Sequence, residues 1–579
     1  MTNKRINRRQ VLKGTAALGG AAVTSAVLAQ EEAAPNPPIG NAGELSVAEK
    51  IAGVDYTDAE RAQIFDELEG MVDRIKRRRA EVKLKNTDAP ALVFDPRLPG
   101  EAYLAQVNSV SVAAEAGPVP SDDEDIAFAP VTHLAHWIRT RQLRSSRLTD
   151  IYLRRIEKYA PKLECFITIT PERARAAAFK ADQEIAAGNY KGPLHGVPYA
   201  LKDLIDTSGL LTTWGAAPFK DRMAEGDATV FTKLEAAGAV LVGKTTLGAL
   251  AYGDKWFGGI TRNPWNMDEG SSGSSAGSAS AVAAGLCGFT LGTETLGSIV
   301  SPSTRCGATG LRPTFGRVSR AGAMALCWSL DKIGPICRGV EDTALVLEAI
   351  NGGDEIGDAG SIDWGFAYDG KAASAADLRI GFDPKWFGED AKASDITALR
   401  AVEDMGFKMK EIRLPELPYA TLLSTLEVEA AAAFEELTLS DRDDLMGWQE
   451  ARAWPNSFRA ARFHSAVEYM QLTRFRRQVM KVMAEVYRDV DLIISPNYAG
   501  GMLIITNYTG HPSLTIPVGM EERDTIPLTG TGAAKAGPIK RVPHTITLWG
   551  NMFREDQLLG VGRLLEGASR FHRNRPDMD

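Results

Sequence analysis

Between Gly270 and Ser303 the chain reads GSSGSSAGSASAVAAGLCGFTLGTETLGSIVSPS, a run of small side chains dominated by serine, glycine and alanine. Gly/Ser-rich segments are commonly solvated linkers. The embedded AVAAGLCGFTLG argues otherwise, because a linker has no use for helix- and strand-forming apolar residues between its small ones. A backbone that must approach another group closely does need small residues. We read the stretch as the floor of an active site. A serine hydroxyl is a poor nucleophile at neutral pH and requires a base.

The best base is Lys202, which ends the apolar run GVPYALK. A lysine buried there is pushed toward its neutral, proton-accepting form. The competing reading is a surface lysine paired with Asp203. Other motifs offer less. GAVLVGKT, Gly238 to Thr245, matches the phosphate-loop pattern GxxxxGK[ST]. Its four central residues are themselves strand-forming, whereas a phosphate loop follows its strand and presents open amides. The seven histidines (His133, His136, His195, His464, His511, His544, His572) are scattered, and GxSxG and HExxH are absent. A Ser-His-Asp arrangement stays open on scatter alone. His195, in PLHGVPYALKD, reads as a structural histidine in a turn.

Four segments occur in an order and spacing that resemble the amidase signature family: GVPYALKD, GSSAGSASAVAAG, GTETLGSIVSPSTRCGATGLRPTFGRVSR and SLDKIGPICRGVEDTALVL. DATVFTKLEAAGAVLVGKT, NPWN and TNYTGHPSLTIPVG support the likeness, which covers roughly residues 128 to 575. The resemblance implies a Ser-Ser-Lys triad. Ser298 matches its nucleophile, Ser274 its bridging serine after a cis peptide bond, and Lys202 its base; the two serines are 24 residues apart, as in the family. Backbone N–H groups of Thr295, Leu296, Gly297 and Ser298 match the oxyanion loop, whose individual donors are worth about 3 kcal/mol. For its role Lys202 must titrate near about 7 or 8, well below the usual value of about 10.4. The implied activity is hydrolysis of a small-molecule carboxamide to carboxylate and amine or ammonia through an acyl-enzyme, with no cofactor and no metal. Esters and carbamates fit the same chemistry.

The chain departs from the family in three places. Glu294-Thr295-Leu296-Gly297 stands where Asp-Ile/Thr-Gly-Gly is usual, so Leu296 replaces a glycine and would distort the loop if that position requires positive φ. Val300 and Ser301 follow Ser298-Ile299 where an arginine is common, which disfavours substrates held by a carboxylate. Thr246 and Ala249 replace an Asn and a Glu. An alternative reading is a binding protein that kept the fold and lost turnover through Leu296.

These residues need a scaffold. The 579 residues are 44% hydrophobic and 24% charged, a globular composition with length for a large core. The start, MTNKRINRRQVLKGTAALGGAAVTSAVLAQ, has a basic head, an apolar stretch and small residues at Val27 and Ala29, and is a signal peptide. Arg8 and Arg9 give it the twin-arginine pattern of bacterial export to the periplasm or beyond. The apolar stretch is short and weak for a membrane span, so no membrane contact is expected after cleavage; an uncleaved anchor is the alternative. Loss of residues 1–29, with five basic residues and no acid, takes the net charge from −8 to −13. Such a surface repels nucleic acid. The A subunits of amidotransferases, cousins in the family, act on charged tRNA in the cytoplasm, and export argues against that role. The five cysteines (Cys165, Cys287, Cys306, Cys327, Cys337) show no CxxC or metal spacing, and their odd number leaves a free thiol.

The expected layout is a signal peptide over 1–29, a linker and N-terminal helical extension over 30–126, and an amidase signature domain over 127–579. Residues 31–44 read as a Pro-rich spacer. Residues 57–85 form a long amphipathic helix opened by a capping box at Thr57 and Glu60. That helix either packs on the main domain or serves as the arm of a homodimer. Beyond Phe128, helices and apolar strands alternate, which implies an α/β fold. The family likeness makes it a mixed central β-sheet flanked by α-helices on both sides. Residues 353–480 read as mostly helical, and VDLIISPN and PSLTIPVG as strands returning to the core.

Overall fold

Short β-branched and aliphatic runs bounded by glycine or polar residues build the central sheet of this computed structural model, which describes residues 44–579 apart from 114, 355, 372–376, 527 and 529–536. Its strands are β1 Phe166–Ile169, β2 Pro198–Lys202, β3 Val240–Thr245, β4 Phe289–Glu294, β5 Thr309–Arg312, β6 Lys332–Cys337, β7 Arg379–Phe382, β8 Lys408–Glu411, β9 Leu492–Pro496, β10 Ser513–Asp524 and β11 Ile539–Gly550. Their order across the sheet is β8-β7-β9-β11-β10-β5-β6-β4-β2-β3-β1. β2 runs parallel to β3 and β4, whereas β4 and β6 are antiparallel, so the sheet is mixed as expected. β2, β3, β4 and β6 are buried along their whole length, so none shows the alternation of a half-buried strand.

The chain divides into two compact units between Leu84 and Lys85. In the first, helix α1, Asp58–Glu81, opens on the expected capping box: Glu60 N donates to Thr57 Oγ1 at 3.3 Å and Thr57 N donates to the Glu60 carboxylate at 2.7 Å. Met71 and Ile75 on this helix stay exposed. The signal peptide and nearly all of the Pro-rich spacer lie outside the described residues.

In the second unit the helices that frame the site are α2 Ser145–Leu163, α3 Thr229–Ala236, α4 Ala276–Ala283, α5 Val300–Cys306, α6 Val340–Ile350, α7 Leu423–Ala433, α8 Ala466–Asp489, α9 Met502–Thr509 and α10 Glu555–Ser569. Helix α4 is buried at every position, and its Ala, Ser and Gly side chains let it lie close against β4. Residues 353–480 depart from the expectation of mostly helix. They contain β7 and β8, which pair in parallel with each other at one edge of the sheet, β7 also pairing in parallel with β9. Both are only four residues long, and KMKE carries polar side chains, so neither has a recognisable strand period. The five cysteines are buried and unpaired. No helix among the described residues is long and apolar enough to cross a membrane.

Candidate active site

β2 and β4 are parallel neighbours with Leu201 opposite Leu291, so their carboxyl ends open at the same edge. Ligands of open α/β sheets gather at such edges. Lys202 closes β2, and Thr293 and Glu294 close β4. Both neighbouring strands bury Lys202, which is 0% exposed. Its Nζ donates to Ser274 Oγ at 2.8 Å, to Thr293 Oγ1 at 2.8 Å and to Ser275 Oγ at 3.1 Å. Burial pushes its pKa down to about 7 against the weaker pull of Asp331 and Glu294. The pairing with Asp203 does not occur. Asp203 instead accepts from Thr213 N and Oγ1 at 2.8 and 2.6 Å and faces Lys244 Nζ at 3.4 Å.

Lys244 is the lysine of the phosphate-loop look-alike. Val240–Thr245 is strand β3, and the Lys244 ammonium is inside the protein, donating to Ile205 O at 2.7 Å and Thr212 Oγ1 at 2.8 Å. No open amide loop exists there to hold a phosphate.

Ser274 sits in the turn before α4, and the Gly273–Ser274 peptide bond is cis, as the resemblance implies. A Cβ on Gly273 would lie 1.8 Å from the Gly253 carbonyl oxygen, so backbone packs on backbone there and any side chain would part the two segments. Ser298 is 8% exposed and is tied to this turn through Ser275 N, which donates to Ser298 O at 3.1 Å. The Ser274 and Ser298 hydroxyls share the site but make no hydrogen bond to each other in this structure.

Residues 295–298 leave β4 and turn into α5. The N–H groups of Leu296, Gly297 and Ser298 have no acceptor among the described residues, so they are free to meet an anion. Gly297 adopts φ 84°, where a side chain is strained, and its Cβ would also press on Leu503 at 3.2 Å. Leu296 is not in the left-handed region. The leucine that departs from the family pattern therefore fits the loop backbone, and its side chain packs, as does that of Leu503, on the cluster that contains Met502 and Ile505.

Glu294 holds the loop at both ends. Its carboxylate accepts from Ile299 N at 2.8 Å and Val300 N at 3.0 Å, capping α5, and from Arg312 Nη1 at 2.7 Å and Asn507 Nδ2 at 2.8 Å. Burial alone would neutralise it; Arg312 and the backbone donors prevail and hold its pKa down at about 2. Thr295 Oγ1 donates to Asp331 at 2.6 Å, and Leu326 N and Cys327 N donate to the same carboxylate. Sequence reasoning missed Ser275, Thr293, Glu294, Arg312 and Asp331 as parts of the site. The available signal was a glutamate and an arginine closing the buried strands FTLGTE and TGLR, where each charge demands a partner.

His195 is buried outside this site: Lys191 N donates to its Nδ1 at 3.1 Å, and its Nε2 lies 3.0 Å from Glu184. Among the described residues no His, Cys, Asp and Glu cluster forms a metal site.

Comparison with known proteins identifies the family. Residues 147–559 match the amidase family model, and residues 5–25 match the twin-arginine translocation signal. The putative amidase AmiD of Mycobacterium tuberculosis is 34% identical over 480 residues, which is 80% of this chain and 99% of that protein. The A subunit of the glutamyl-tRNA(Gln) amidotransferase of Roseiflexus sp. is also 34% identical, over 76% of this chain and 96% of its own length. The native peptide amidase from Stenotrophomonas maltophilia has the same fold, with a TM-score of 0.66 and 27% identity over 78% of this chain and 99% of that one. With most of its length matched to the family model and a twin-arginine signal ahead of it, the chain belongs to the amidase family and is an amidohydrolase exported to the periplasm.

Proposed function

We propose that this exported amidase cleaves the C–N bond of a carboxamide by acyl transfer, with Ser298 as nucleophile, Ser274 as proton relay and Lys202 as base. The observation that carries this reading is the 2.8 Å hydrogen bond from the buried Lys202 to Ser274. A lysine titrating near about 7 is neutral often enough at working pH to accept a proton.

In this reading Ser298 Oγ forms a bond to the carbonyl carbon while its proton passes to Ser274 Oγ, whose own proton passes to Lys202. The oxyanion receives the free N–H groups of the loop at Leu296, Gly297 and Ser298. Collapse breaks the C–N bond, and the proton held at Lys202 returns through Ser274 to the leaving nitrogen. Water then attacks the acyl-enzyme with the same relay taking one of its protons; as the ester bond to Ser298 breaks, that proton returns from Lys202 through Ser274 to Ser298 Oγ, and the acid gives its remaining proton to solvent and leaves as carboxylate, with Lys202 neutral again. The reacting domain in this assignment is 127–579, with 30–126 as its extension.

The test is hydrolysis by the mature protein of primary and aryl amides and matching esters, beside Ser298→Ala and Lys202→Ala. Turnover lost in both variants supports the triad. Absence of turnover together with absence of labelling by a serine-directed probe sinks it in favour of a binding protein.

A further inference from the structure

The family match begins at residue 147, yet a segment far upstream of it builds part of a cavity beside the candidate triad. The cavity holds about 290 Å³ and is bordered by Thr293 and Thr295 from the end of β4 and its loop. Asn86 to Phe94 forms one wall of it. Both ends of this segment are pinned. Asn86 exchanges two hydrogen bonds with the backbone of Ala325, donating at 2.7 Å and accepting at 2.8 Å. Phe94 stacks under the Arg476 guanidinium, 3.4 Å from ring centroid to Cζ, and meets Phe315 edge-on at 5.0 Å. Between the pins, Leu92 and Val93 border the cavity while 78% and 48% exposed. Apolar side chains left in water at the mouth of a cavity gain by covering an apolar ligand.

The charges around the cavity are already committed. Arg320 pairs with Asp358 at 2.7 Å, Asp331 accepts from Thr295 and two backbone N–H groups, Glu429 accepts from Ser329 and Tyr469, and Lys332 donates to Leu330 O. No cation among the described residues there is left for a substrate carboxylate. Met324, Leu326 and Trp328 complete the wall. None of Lys202, Ser274 and Ser298 borders the cavity, which reaches the site through Thr293, a partner of Lys202, and Thr295 of the oxyanion loop. With the oxyanion loop at its border and Ser274, which in the mechanism above serves the leaving nitrogen, away from it, the cavity is assigned to the group on the carbonyl carbon.

We infer that Asn86–Phe94 is a specificity wall, closing an acyl pocket for amides of neutral, apolar carboxylic acids. The inference rests on the Ser298 reading for the orientation of the substrate.

The experiment follows straight-chain primary amides from acetamide to octanamide, with the monoamide of adipic acid as the charged counterpart, on the mature full chain. The expected wild-type kcat/KM rises about fourfold per methylene until the cavity is full, and adipic monoamide falls below hexanamide. In Leu92→Ser/Val93→Ser the octanamide-to-acetamide ratio of kcat/KM falls at least about tenfold. The same comparison is made by calorimetric Kd in a Ser298→Ala background, where turnover plays no part. Octanamide binding weakened by the wall substitutions, with no amide hydrolysed by the protein that retains Ser298, refutes the Ser298 reading and keeps the wall. A chain-length series unchanged by the substitutions, in rate or in Kd, overturns the proposal.

Discussion

Glu294 and Arg312 meet at 2.7 Å with neither side chain exposed to solvent. They close two strands separated in the sheet by β6, and Asn507 of α9 joins them from the other side. Because Glu294 also caps α5, the pair fixes both ends of the loop that carries Ser298. A buried pair contributes little against an apolar replacement, but removing one partner strands the other charge at a cost of about 3–5 kcal/mol. Glu294→Gln is therefore expected to lower the urea midpoint strongly and to reduce kcat. The added Arg312→Met change recovers part of the stability, and a double-mutant cycle in urea checks the coupling.

In the proposed mechanism Lys202 sets the pH profile of kcat/KM. The base must be neutral, and its pKa of about 7 lies below the ordinary lysine value, so activity rises with pH through about 7 and then levels. Lys202→Met removes the base and is expected to cost about 10²–10⁴-fold. A flat profile between pH 5.5 and 9 would exclude Lys202 as the titrating group.

Thr293→Val deletes one acceptor from the Lys202 ammonium while keeping the side-chain shape. The charged form loses a hydrogen bond, so the pKa of Lys202 falls further and the acidic limb of the profile moves to lower pH. A merely structural role for Thr293 would lower the rate without moving the limb.

The two middle positions of the proposed oxyanion loop are expected to respond oppositely. Leu296→Gly changes no demanded backbone conformation, and kcat on a small amide stays within about threefold. Gly297→Ala places a side chain at φ 84° and against Leu503, and the strain of about 1–2 kcal/mol is expected to lower kcat by about tenfold or more. Steady-state kinetics on both variants distinguishes the two positions.

Part of the candidate site was legible locally, since Lys202 ends an apolar strand and residues 270–303 are too small to be ordinary core, but Ser274 and Ser298 were singled out within that stretch only by the family resemblance. The look-alike GAVLVGKT was separable from a phosphate loop for the same kind of reason, since its centre is strand. What supports the site was less visible. Thr293 reaches Lys202 only because β2 and β4 lie side by side, with the two residues 91 positions apart in sequence, and Asn507 reaches Glu294 across 213. The strands β7 and β8 were hidden by their shortness. The wall at Asn86–Phe94 carries Pro90 and scattered apolar residues without a period, so only its placement beside the cavity gives it meaning.

The five buried thiols set a direction on the life of this protein. Each has no solvent exposure, and burial keeps them protonated. A chain that crosses the membrane already folded carries them past the oxidants of the periplasm under cover. Should it unfold there, all five become available at once for mispairing, and no native bridge exists to guide them back. Its working lifetime is then governed by how slowly it opens, not by how well it could refold.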